Sequence, residues 1–245
     1  MAIKAVLFDL GETLFNYGRV DINTLLRRAA RLSYDYLRGQ TTYVGKLPRF
    51  RRYYHRHVSA IKLRYFLSIL TSRDFNAQIL LNQQLRKMGL IISPAQLEEL
   101  SWLWYKPAGD LVELDPQLHQ HLQRLQDMSL RLAVVSNTFS PPTVLDRHLE
   151  QFDLLRFFTV RLYSSEIVYR KPHPRIFQIA LQKLGVLASE AVMVGDRLRE
   201  DYKGAARVGI RAVLKRAYTN ESKNIDRNIP VIDTVAELPH LIKDW

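Results

Sequence analysis

Three short apolar runs that stop abruptly at polar residues constrain this chain more than any other feature. Val6-Leu7-Phe8 stops at Asp9, Leu132-Ala133-Val134-Val135 at Ser136, and Val192-Met193-Val194 at Gly195-Asp196. Runs of this length without polar alternation read as strands buried on both faces, the habit of a parallel sheet. Further strands are expected at residues 157–160, 210–214 and 231–232. Helical periodicity fills the gaps. Leu118, Leu122 and Leu125 share one face, Val144 to Leu149 another, and Ile176, Phe177, Ala180, Leu181 and Leu184 a third that closes at Gly185. A helix is expected from Asp196 to Gly209, a polar loop over 215–229 and a short helix over 234–242. Strands alternating with helices imply a parallel sheet covered on both sides.

One stretch breaks the alternation. From about residue 21 to 105 the pattern is long helices only. Leu25, Leu26, Ala29, Ala30 and Leu32 mark one apolar face, and Leu80, Leu81 and Leu85 another that ends at Gly89. Ser93-Pro94 opens a further helix, with Ser93 as N-cap. An insertion directly after the first strand stands over that strand's carboxyl end, where ligands bind in open α/β sheets. The expected domains are therefore an α/β core (residues 1–17 and 110–245) and an inserted all-helical cap (residues 18–109).

Charge divides the same way. Residues 19–109 carry 16 Lys+Arg against 5 Asp+Glu, a balance of +11, whereas the remainder carries 20 against 19. A basic cap suits anionic partners or simply a solvated helical face. Its aromatics, among them Tyr53, Tyr54, Trp102 and Trp104, are read as cap core rather than base-stacking platforms, and a nucleic-acid partner stays open. His55 and His57 are read as surface or interface residues. With no cysteine in the chain, disulfides and thiolate metal sites are excluded, so a metal must sit on oxygen or imidazole. Arginines interrupt every apolar run before it reaches membrane-spanning length. The start, MAIKAVLFDLGETL, is a poor secretory signal. A cytoplasmic location without membrane attachment is the expectation by elimination.

The polar residues at the strand ends form a coherent set. In a parallel sheet these ends point the same way, so Asp9, Ser136-Asn137, Lys171 and Asp196, with Asp201 five residues on, converge on one crevice. A carboxylate such as Asp9 can attack phosphorus. Two anions repel, so Mg²⁺ is expected between attacker and phosphate, on hard oxygens from Asp9 and Asp196. Lys171 offsets the negative charge, and Ser136, with Asn137 beside it, is placed to bind substrate. The expected substrate is a small phosphorylated or otherwise anionic molecule.

FDLGETL, VVSNT, RKPHPRIF and GDRLREDYKGA, in this order, resemble the four motifs of the haloacid dehalogenase-like hydrolase superfamily. The resemblance runs from Ile3 to about Val213, with the helical insert where that superfamily carries its cap. It implies a Rossmann-like core and a magnesium-dependent phosphatase working through an aspartyl-phosphate. Asp9 would be the nucleophile, Ser136 and Lys171 phosphate binders, and Asp196 a metal ligand. Asp201 would support the metal directly or through water, and the Gly11 backbone carbonyl would be a further ligand.

One position departs from that pattern. Most members carry a second aspartate two residues after the nucleophile as general acid and base; here that position is Gly11. Glu12 is adjacent, but neighbouring side chains point differently, and whether it compensates is open. Two alternatives therefore stand beside the phosphatase. One is a phosphate-binding or regulatory protein with weakened turnover. The other is a haloacid dehalogenase, which also lacks that acid but works without metal. Substrate identity and oligomeric state are not legible.

Overall fold

A computed structural model describes residues 2–243 and 245. Strand β1 (Ala5–Phe8) is followed by four helices, α1 (Ile22–Arg38), α2 (Phe50–Thr71), α3 (Ala77–Lys87) and α4 (Pro94–Gly109). Alternation then begins: α5 (Leu118–Asp127), β2 (Arg131–Ser136), α6 (Pro142–Gln151), β3 (Val160–Tyr163), α7 (Ser164–Ile167) and α8 (Pro174–Leu184). The chain continues through β4 (Ala191–Gly195), α9 (Lys203–Ala206), β5 (Arg211–Lys215), β6 (Val231–Ile232) and α10 (Leu238–Lys243).

The strands form one six-stranded sheet in the order β3-β2-β1-β4-β5-β6, with every pair parallel. Within each apolar run alternate residues face opposite layers. Val6, Phe8, Leu132, Val134, Val192 and Val194 pack with α5, α6 and α10, while Ala5, Leu7, Ala133, Val135, Ala191 and Met193 pack with α8 and α9. This is why the runs show no polar alternation: both faces are dry. The chain leaves β1 toward β2 and leaves β4 toward β5, so the crevice at the carboxyl ends of β1 and β4 is the topological switch point.

The four inserted helices hold a cluster of their own, including Ala30, Leu37, Tyr53, Leu81, Leu85, Leu90 and Leu100. Ser93 caps α4 as expected, within a reciprocal box in which Ser93 Oγ accepts from Gln96 N (3.2 Å) and Gln96 Oε1 accepts from Ser93 N (2.8 Å). Each bond satisfies an amide that the helix start leaves free. α3 stops two residues before Gly89, whose φ of +80° suits a residue without Cβ.

Three expectations need correction. The third strand begins at Val160 rather than 157, because Phe157 lies in a 3₁₀ turn, Leu155–Phe157. Phe157 and Phe158 are nonetheless buried, so their apolarity mimics a strand. The helix after Asp196 is broken: a π-helical turn, Leu198–Tyr202, precedes α9. His55 is exposed, but His57 is buried at 2% exposure, its Nδ1 bonded to Tyr53 O (2.9 Å). No helix among the described residues is long and apolar enough to cross a membrane.

Candidate active site

Asp9 is the first residue beyond β1, and its backbone N donates to Val194 O (2.8 Å), which seats it beside the end of β4. Lys171 Nζ lies 2.7 Å from Asp9 Oδ1 and 2.6 Å from Asp201 Oδ1. The lysine is buried, 2% exposed. Burial opposes its charge, but Asp201 and Asp9 outweigh that and raise its pKa. It is an ammonium clamped between two carboxylates.

Asp196 follows β4 and is also buried. Thr219 Oγ1 donates to Asp196 Oδ2, and Asn220 Nδ2 donates to Asp196 O (2.9 Å) and Lys215 O (2.7 Å). Asp201 Oδ2 accepts from Arg197 N (2.8 Å), a contact made possible by the π-helical turn, which folds residue 201 back toward the strand end. Burial pushes Asp196 up to about 6, the Asp9 charge adding to it. Burial likewise pushes Asp201 up to about 7, against the opposing pull of Lys171.

Asp9, Asp196 and Asp201 offer one oxygen each within 4.8 Å of one another. Asp196 Oδ1 is buried with no hydrogen-bond partner. An orphaned buried carboxylate oxygen is costly unless something meets it, and oxygen donors alone suit a hard divalent cation. The residues present therefore fit such an ion.

The sequence-predicted residues line one cleft of about 490 Å³: Asp9, Gly11, Ser136, Asn137, Lys171, Asp196 and Asp201. Ser136 closes β2 and is buried. Asn137 is committed elsewhere: its Oδ1 accepts from Lys171 N (2.7 Å) and its Nδ2 donates to Lys171 O (2.8 Å). It fixes the lysine loop and has little left for a ligand. None of the insert's lysines or arginines lines the cleft; its cations are Arg170, Lys171, Arg197 and Arg199.

At Gly11 the space beside the missing side chain is bounded by Tyr17, whose Cε2 would lie 3.7 Å from a Cβ built there. Tyr17 Oη is 3.0 Å from Tyr105 Oη, which is 2.7 Å from His148 Nδ1. This chain links the loop after β1 to α4 and α6. Burial drives Tyr17 up to about 12 and His148 down to about 4, so the three side chains are neutral at neutral pH. Glu12 Oε1 accepts from Tyr17 N (2.9 Å) and Gly18 N (3.2 Å), and burial raises its pKa while those bonds oppose the shift. Its carboxylate is occupied in holding the loop.

The insert meets the lysine loop directly. Asp74 N donates to Val168 O (2.6 Å) and Arg170 N to Ser72 O (3.2 Å), around an antiparallel bridge between Arg73 and Tyr169. Asp74 Oδ2 accepts from Ser164 Oγ (2.7 Å), and Phe75 stacks on Phe139 at 5.4 Å between centroids.

Sequence reasoning missed Thr219, Asn220, Tyr17, Tyr105 and His148. The first two lie in the loop read only as polar, and nothing in their spacing distinguishes a pair bonded to Asp196 from a solvated one.

Known proteins resemble this chain along nearly its whole length. The chain is 28% identical over 251 residues to a ribulose-1,5-bisphosphate 5-phosphatase of Halopiger xanaduensis, covering 97% of this chain and 98% of that one. A HAD phosphatase from Thermococcus onnurineus superposes with a TM-score of 0.63 at 25% identity, covering 98% of each chain. A 2-haloacid dehalogenase from Pseudomonas syringae pv. Tomato superposes at 0.64 with 24% identity, covering 99% of each, a likeness of fold. The family model for haloacid dehalogenase-like hydrolases matches residues 3–209. A match of that extent includes the strand ends that carry Asp9 and Asp196 and the loop that carries Lys171, and the chain belongs to the haloacid dehalogenase-like hydrolases.

Proposed function

We propose that the protein is a magnesium-dependent phosphatase that hydrolyses a small phosphomonoester through an aspartyl-phosphate on Asp9. The observation that carries this reading is the buried cluster at the switch point, where Asp9 shares Lys171 with Asp201 and Asp196 keeps an unpartnered oxygen. The phosphatase named among the relatives supports it.

Asp9 attacks phosphorus, the bond from phosphorus to the alcohol oxygen breaks, and the departing alkoxide takes its proton from solvent water. Water then attacks the aspartyl-phosphate, releasing inorganic phosphate and restoring Asp9. Lys171 offsets charge on Asp9 and on the phosphoryl oxygens, and the Ser136 hydroxyl donates a hydrogen bond to a phosphoryl oxygen. Asn137 positions Lys171. Asp9, Asp196, Asp201 and the Gly11 carbonyl would hold Mg²⁺, which when bound offsets the repulsion between nucleophile and phosphate. Residues 18–109 act as the cap, closing the cleft from above.

Gly11 supplies no proton to the leaving alkoxide, and Glu12 is engaged by two backbone amides. General acid–base catalysis typically contributes ~10²–10⁴-fold, so turnover of alkyl esters is slowed by up to that factor. The same observation favours a second reading, a phosphate-binding protein with residual turnover. A phosphatase screen with and without Mg²⁺, using Asp9→Asn as the blank, separates them. Mg²⁺-dependent phosphate release lost in the variant supports the enzyme. Vanadate binding without release on any substrate supports the binder, and halide release without Mg²⁺ would overturn both.

A further inference from the structure

A second cavity, of about 210 Å³, adjoins the catalytic cleft between the insert and the core. Tyr17, Ile22, Leu25, Tyr105, Ala108 and Phe139 line both spaces, so the two meet across a common wall. None of the residues lining the second cavity is a lysine, arginine, aspartate or glutamate. The one titratable imidazole there, His57, is pushed down to about 4 by burial and is neutral.

The polar side chains in its wall, among them Gln78, Ser101 and Ser140, are uncharged. His57 is held within the insert, its Nδ1 bonded to Tyr53 O (2.9 Å).

We propose that this cavity receives the alcohol portion of the substrate, and that this alcohol is uncharged, largely apolar and about the size of a substituted benzene ring. The inference rests on the phosphatase reading and narrows its substrate class. Size supports it: a dry cavity of about 150 Å³ accepts benzene, and this one, at about 210 Å³, is larger. Charge supports it as well. The cleft's cations are core residues around the phosphoryl position, and nothing beyond them compensates a second anionic group in the cavity.

The test uses the full chain with Mg²⁺ and three probes: benzyl phosphate, glycerol 3-phosphate and acetyl phosphate. Benzyl phosphate is expected to exceed glycerol 3-phosphate in kcat/KM by about 10–200-fold, the range over which an apolar pocket discriminates. Leu26→Trp and Ala77→Phe fill the cavity from two different walls. Each is expected to lower the ratio of benzyl to acetyl phosphate turnover about tenfold, with folding checked by thermal melting. Hydrolysis of acetyl phosphate with glycerol 3-phosphate equal to or better than benzyl phosphate would overturn this inference alone. An unchanged ratio in both folded variants would do the same. Absence of hydrolysis of all three would overturn the phosphatase reading, and this inference with it.

Discussion

Gly195 leaves open the space that the Asp201 carboxylate fills: a Cβ on Gly195 would come within 2.3 Å of Asp201 Cγ and 2.4 Å of its Oδ2. The glycine is needed for close approach, since Asp201 is folded against the end of β4. Gly195→Ala is expected to displace that carboxylate from Lys171 and to weaken Mg²⁺ binding about 10–100-fold, the usual cost of disturbing a supporting ligand. Overpacking adds a stability loss of about 1–3 kcal/mol. Calorimetric Mg²⁺ titration alongside urea unfolding checks both; unaltered metal affinity in a folded variant would remove Asp201 from the metal site.

Gly11→Asp is expected to raise turnover of an alkyl phosphate more than that of an aryl phosphate, up to ~10²–10⁴-fold. A Cβ at position 11 has ordinary contact distance to Tyr17, so the side chain is admitted. Aryl alcohols leave readily and need less protonation. Equal rates for both variants on both esters would show that Gly11 does not limit catalysis.

The acid pair sets a pH dependence. Folded Asp196 and Asp201 keep protons up to about pH 6 and 7, whereas unfolded they lose them near pH 4. The folded chain thus binds more protons between about pH 4 and 7, and metal-free stability falls as pH rises through that window. Mg²⁺ takes the deprotonated carboxylates. Its stabilising shift in Tm is therefore expected to be larger at pH 8 than at pH 5.5, and a shift of equal size at both would argue against these acids as ligands.

Tyr105→Phe removes the hydroxyl between Tyr17 and His148 and leaves a buried imidazole nitrogen unmet. A loss of about 1–3 kcal/mol is expected, read as a fall of roughly 2–12 °C in Tm at about 2–4 °C per kcal/mol for a chain of this size. An unchanged Tm would mean that water replaces the phenol.

Much of this was legible in the sequence because it sits where local pattern and chemistry coincide. Asp9, Ser136 and Asp196 announce themselves by ending apolar runs, and Lys171 and Asp201 by their place in an ordered series of motifs. The strand at 157–160 was misplaced because the buried pair Phe157-Phe158 is apolar without being extended. Thr219 and Asn220 gave no signal, since their hydrogen-bond partner is Asp196, more than twenty residues away. The basic composition of the insert pointed to an anionic ligand, yet its cations do not line the cleft. Charge counts say how many cations a segment has and nothing about which way they face.

The backbone pairing of residues 72–74 with 168–170 has a mechanical consequence. The strip of chain that leaves α2 is stitched to the strip that delivers Lys171, so these two cannot part without breaking main-chain bonds. The insert is thus tied to the core at two places, this seam and the chain crossings beside Tyr17 and Gly109, where Asn16 pairs with Glu113. A shift of the insert at this seam would therefore be felt by the loop that holds the ammonium against Asp9.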